Sequence, residues 1–114
     1  MGVKMSGTNV EEISFQIILH GGDARSHAIE AIHHAKSKKL ELADESIEKA
    51  NEALKAAHKY QTELIQGEAR GEKTDIKILL IHAQDHLMNA MTVRDLAKEI
   101  IDVYKYTNGK TNSY

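Results

Sequence analysis

The sequence predicts an all-α protein, an antiparallel bundle of three long helices. Three observations carry the prediction. The 114 residues contain no proline, cysteine or tryptophan. They are rich in Ala, Leu, Ile, Glu and Lys, the residues that lose least on entering a helix. Apolar residues also recur at helical spacing through three long segments. A chain of this length makes one domain with a modest single core.

The first helix spans about residues 8–36. Thr8 and Glu11 have the spacing of a capping box, and residues 1–7 before them are small and polar, a frayed start. Gly2 and Ser6 match the N-myristoylation pattern, but so short a match recurs by chance and a plain chain end is the simpler reading. Val10, Ile13, Ile17, Ala24, Ala28, Ala31 or Ile32, and Ala35 mark one face. Gly21-Gly22 interrupts the pattern at about 1 kcal/mol per glycine relative to alanine. Close approach of a neighbouring helix explains the pair better than a break. Arg25 and Ser26 could face a site or solvent, and solvent is the expectation.

Lys36 to Lys39 forms a basic turn, with lysines suited to the helix dipole. The second helix spans about residues 41–68, with Leu42, Ala43, Ile47, Ala50, Leu54, Ala57, Leu64 and Ile65 inward and alanines implying tight approach. Gly67, Gly71 and the polar residues between them form the second connection. The third helix spans about residues 74–106. Its second half carries a one-sided stripe of Leu96, Ala97, Ile100, Ile101, Val103 and Tyr104. Asn108-Gly109 ends it, and residues 107–114 are expected to be a disordered tail.

Charge and composition exclude several functions. Net charge is −2, from 15 basic and 17 acidic residues, with no basic stripe to hold nucleic acid. No apolar run approaches the roughly 18 residues of a membrane span, and no secretory h-region opens the chain. Without cysteine there is neither disulfide nor thiol chemistry, which fits the cytoplasm. Aromatic residues are too few for a sugar-stacking site.

Chemistry concentrates in Ile81 to Met91, I-H-A-Q-D-H-L-M-N-A-M. Helical offsets of three and four put His82, Asp85 and His86 on one face, within a turn. The surrounding helix, from Ile76 to Val93, is apolar on nearly every side, which predicts burial all round. Three readings of H-x-x-D-H then stand. It resembles an inverted zinc-hydrolase motif, although Asp85 replaces the glutamate base and no third ligand is evident. Both histidines could be core residues satisfied by hydrogen bonds. Or His82 could accept a phosphoryl group, since a neutral imidazole is a good nucleophile near pH 7, with His86 as a neighbouring donor. A self-associating binding or regulatory module, its histidines serving only packing or metal binding, is the non-catalytic counterpart. His20, His27, His33, His34 and His58 share no ligand spacing and are expected at surface or boundary positions. A third helix apolar on all faces also leaves one face in water, a surface best covered by self-association about a closed axis.

The run Ile81-His82-Ala83-Gln84-Asp85-His86-Leu87-Met88, with Asn89-Ala90-Met91-Thr92 after it, resembles the signature helix of one family. That family is the enzyme IIA component of the phosphoenolpyruvate-dependent sugar phosphotransferase system (PTS), in its lactose/cellobiose class. Gly22-Asp23-Ala24-Arg25-Ser26 is similar to its helix 1 motif. Ala57-His58-Lys59-Tyr60-Gln61-Thr62-Glu63-Leu64-Ile65 is similar to the end of its helix 2, and Gly71-Glu72-Lys73 to its second loop. The resemblance implies a three-helix bundle that assembles as a nine-helix homotrimer. It implies that His82 takes a phosphoryl group from HPr and passes it to a cysteine of enzyme IIB, with IIC as the membrane permease and no direct sugar binding. It implies that Asp85 points to the threefold axis, where three copies share one metal ion, taken as Mg2+. His86 and Gln84 would sit beside the phosphoryl group or the interface. Ala83, where lactose members often have glycine, and Asn89-Ala90-Met91 lean towards the cellobiose, lichenan or chitobiose type.

Overall fold

The structure, a computed structural model, describes the backbone of residues 7–110 and the side chains of residues 9–107. Three helices follow in order: α1 (Gly7–Lys36), α2 (Leu40–Ala69) and α3 (Ile78–Lys110). The all-α, three-helix expectation holds. The Thr8 capping box, the Gly2/Ser6 pattern and residues 111–114 lie outside the described side chains.

Two boundaries differ from the sequence reading. Residues 72–77 are not helical, so α3 starts at Ile78 rather than near Thr74. Ile76 is 71% exposed, and an extra turn here would bury nothing that stabilises it. Lys77 instead reaches Glu11 on α1 at 3.5 Å. At the other end, α3 runs through residues 107–110, where a disordered tail was expected. Thr107 Oγ1 donates to the Val103 carbonyl, 2.9 Å away, tying the last turn to the helix body.

Both turns are built by main-chain hydrogen bonds. After α1, the Lys39 amide donates to the His34 carbonyl and the Lys38 amide to Ala35. This is a Schellman arrangement, but its left-handed position is Lys38 at φ 63° instead of a glycine. After α2, the Glu72 amide donates to Gly67 and the Gly71 amide to Glu68, with Gly71 at φ 87°. Here the glycine supplies the conformation at little cost. Gly67, expected in the connection, is a buried residue of α2.

α1 packs along both other helices, while α2 and α3 meet more sparsely. The core has two zones. Around the site it is built from larger residues, among them Ile13, Ile17, Leu54, Leu64, Leu80 and Leu87. Towards the α1–α2 turn it is mostly alanine: Ala28, Ala31, Ala35, Ala43, Ala50 and Ala97. These small side chains let the helix axes approach closely. The α1 stripe is buried as expected, with Ala31 inside and Ile32 at the margin. On α2, Leu42 and Ile65 are exposed instead of inward, and Ser46 and Gly67 are buried instead.

α3 is buried on one side only, along Leu80, Ala83, Leu87, Ala90, Ala97 and Ile101. Its outer face carries exposed apolar residues along its length, Ile78, Ile81, Met88, Leu96, Val103 and Tyr106, interrupted by Asp85, Thr92 and Glu99. The expectation of a helix buried all round is therefore corrected for the single chain, because α1 and α2 can cover only one side of it. Of the second-half stripe, Ala97 and Ile101 are buried and Tyr104 packs beside them, whereas Leu96, Ile100 and Val103 are exposed. Ile78, Ile81, Asp85 and Met88 follow the alternating three- and four-residue steps of a coiled-coil seam.

Candidate functional site

Helical phase divides the site residues among three directions. His82 and His86 turn towards the α1 side of α3, Gln84 towards α2, and Asp85 outward.

His82 is exposed and His86 half-buried. Their Nε2 atoms lie 3.1 Å apart, and the rings meet edge to face at 85°, centroids 4.5 Å apart. One nitrogen carries the shared proton and the other accepts it. With the proton on His86, Nε2 of His82 is the unprotonated, accepting nitrogen and its own N–H lies on Nδ1. Below the pair, Gly21 is buried against the backbone of His86 and Leu87, where an added Cβ would come within 3.6 Å of three main-chain atoms. This is the close helix approach read from the glycine pair. Gly22 has open space around it.

The same side of α3 borders a groove of about 420 Å³ lined by Arg25, His86, Asn89, Thr92 and Val93. Arg25, expected to face only solvent, is exposed but also lines this groove beside His86. Periodicity alone could not reveal that, since it depends on which flank of α1 receives α3.

Gln84 is not beside His82 within one chain. Its Oε1 accepts a hydrogen bond from Gln61 Nε2 at 2.8 Å, and Gln61 Oε1 lies 3.0 Å from His58 Nδ1. This polar chain ties α3 to α2; its α2 members lie in the helix 2 segment that resembles the family, but only tertiary placement joins them to Gln84. His20 stacks on Tyr60, ring centroids 5.9 Å apart, and His27 lies 3.7 Å from Glu30. Both contacts are structural.

Asp85 is exposed and has no hydrogen bond or ion pair among the described residues. Nor does any group of three His, Cys, Asp or Glu side chains form a metal site within one chain, among the described residues. The zinc-hydrolase reading requires such a set.

A family model for the PTS lactose/cellobiose-specific IIA subunit matches residues 12–105. The lichenan-specific phosphotransferase enzyme IIA component of Bacillus subtilis (strain 168) is 60% identical over 96 residues, 84% of this chain and 87% of the relative. The crystal structure of the PTS cellobiose-specific enzyme IIA from Bacillus anthracis superposes with a TM-score of 0.87 at 57% identity, covering 93% of this chain and 95% of that one. A IIA(chitobiose) chain, solved in complex with HPr from the N,N'-diacetylchitobiose branch of the Escherichia coli phosphotransferase system, gives a TM-score of 0.75 at 35% identity, covering 87% and 96%. The chain belongs to the lactose/cellobiose-specific IIA family of the PTS. No described helix is long and apolar enough to cross a membrane.

Proposed function

We propose that this chain is a cytoplasmic phosphocarrier with His82 as its covalent relay. The observation that carries the reading is the exposed His82 imidazole held against His86 on the helix that matches the family signature. Neutral His82 attacks the phosphorus of phosphohistidine on HPr through the Nε2 lone pair. A P–N bond forms on His82 as the donor's P–N bond breaks, and the donor imidazole leaves with its electron pair. His86 N–H, released from the His82 lone pair, is then free to donate to a phosphoryl oxygen. Transfer onward to a cysteine thiolate of enzyme IIB makes a P–S bond and returns His82 neutral, and IIC couples the phosphate to sugar entry. The IIA(chitobiose)–HPr complex of the related structure supports HPr as donor. The lichenan-specific relative and the cellobiose-specific structure support a β-linked disaccharide of the cellobiose or lichenan type as the sugar.

The outer face of α3 supports a homotrimer closed through that helix. Ile78 is 80% exposed and Ile81 55% exposed, in a seam where Asp85 stands alone as a charge. Three carboxylates meeting at an axis would repel unless neutralised, and an all-oxygen donor set fits a hard divalent cation such as Mg2+. Such a cation would supply the charge that lets three Asp85 carboxylates share one buried axis.

The test is phosphorylation with phosphoenolpyruvate, enzyme I and HPr. The wild type should take the label and His82→Ala should not. Equal labelling of the alanine variant would remove His82 from the relay, and no labelling of an intact wild-type trimer would favour a non-catalytic module.

A further inference from the structure

We infer that Arg25 is a phosphoryl-binding residue, which clamps the phosphate carried on His82 from across the α1–α3 groove. The inference rests on the relay reading above and adds a residue to it.

The argument begins with partners. The chain has three arginines. Arg70 is paired with Glu72 at 2.7 Å. Arg94 contacts Asp95 and Asn51. Arg25 alone of the three has no hydrogen bond or ion pair among the described residues, although four acidic residues share its helix, including its near neighbour Asp23. A guanidinium left unpaired keeps all five N–H donors for an incoming anion.

Place and chemistry agree with that use. Arg25 follows Gly21 by one turn, and Gly21 sits against the backbone of His86. Helical side chains lean towards the helix N-terminus, so the Arg25 stem leans back towards the His86 level. The groove it shares with His86, Asn89, Thr92 and Val93 contains no carboxylate. It thus offers donors from an arginine, a histidine and an amide, with no opposing negative charge, while the Thr92 hydroxyl donates to the Met88 carbonyl at 3.2 Å. His86 Nε2 is 3.1 Å from the His82 nitrogen that would carry phosphorus, so a phosphoryl group there borders the mouth of the groove. A planar guanidinium grips two phosphoryl oxygens at once, which a lysine cannot match. The bond made is P–Nε2 on His82, the bond broken is that to the donor's leaving nitrogen, and Arg25 offsets the charge spread over the oxygens in flight.

Phosphoramidate tests this without a docking protein, because it phosphorylates imidazole directly and releases ammonia. Wild type, Arg25→Gln and Arg25→Lys are compared for the rate of His82 loading, read by 31P NMR, and for the Arg side-chain Nε–Hε resonance before and after loading. The expected result is loading slower by about tenfold or more in Arg25→Gln, partial recovery in Arg25→Lys, and a shifted Arg25 Nε–Hε signal in the loaded wild type. Thermal midpoints should match, since Arg25 is exposed and unpaired. Wild-type loading rates in Arg25→Gln with an unmoved Nε–Hε signal would overturn the inference. So would a defect confined to transfer from phospho-HPr, which would make Arg25 a protein-docking contact. Failure of the wild type to load at His82 would instead reject the relay itself.

Discussion

The Nε2 atoms of His82 and His86 stand 3.1 Å apart across one helical turn, with their ring planes at 85°. This edge-on contact fixes which nitrogen of His82 presents a lone pair, provided His86 holds the proton. His86→Ala removes that control while leaving the fold intact, because the side chain borders an open groove. Initial rates of label transfer from phospho-HPr should fall by about 10- to 100-fold, with partial recovery in His86→Gln, whose amide still donates. An alanine variant that loads at the wild-type rate would make the pairing incidental.

Asp85 is a single charge in a seam of Ile78, Ile81 and Met88. In a trimer closed on that seam, leucine would remove three repelling carboxylates and add apolar contact. Asp85→Leu should keep the trimer and stabilise it by roughly 1–4 kcal/mol, while abolishing binding of a divalent cation. Sedimentation velocity and calorimetry with Mg2+ read the two effects. Monomers of this variant would count against an axial aspartate.

Glycine and lysine are oppositely placed at two backbone positions. Gly22 is helical with open space around it, and alanine there should stabilise by about 0.5–1 kcal/mol. Lys38 holds φ 63°, where glycine should gain about 1 kcal/mol. Urea unfolding of Gly22→Ala and Lys38→Gly checks both. A loss in either variant would show that the native side chain, or the bare Cα, has a role beyond backbone conformation.

Ser46, buried on α2, donates to Glu30 Oε1 on α1 at 2.8 Å. That hydrogen bond, with a smaller contribution from His27, lowers the Glu30 pKa below its ordinary value. A carboxyl depressed by folding stabilises the fold above its unfolded pKa, and the contribution fades as pH falls through the folded value. In Ser46→Ala, the Glu30 midpoint followed by carboxyl NMR should rise towards the ordinary range. The stability difference from wild type should then shrink as the pH is lowered through the carboxylate range. An unmoved midpoint would mean that the Ser46 bond does not persist in solution.

Much of this was legible in the sequence, for a physical reason. The buried face of α1, Val10 through Ala35, is a strict helical stripe, and packing on both neighbours left it no alternative. The pairing of His82 with His86 follows from an offset of four. Leu42, Ile65 and Leu96 were misread as core because hydropathy alone does not say which side of a helix the neighbours cover. Gly67 looked like a linker, yet it is a buried helical residue. Arg25 and Gln61 gained their meaning only from tertiary placement, one in the groove beside His86 and the other as the donor to Gln84.

The central claim is that one imidazole of seven carries the phosphoryl group, the one exposed on α3 against His86. Mapping the modification by tandem mass spectrometry, under alkaline conditions that preserve phosphohistidine, tests it most directly. After brief incubation with phospho-HPr, the account predicts phosphate on His82 and unmodified peptides for the other six. Phosphate on His86 or on an α1 or α2 histidine, with His82 bare, would contradict it.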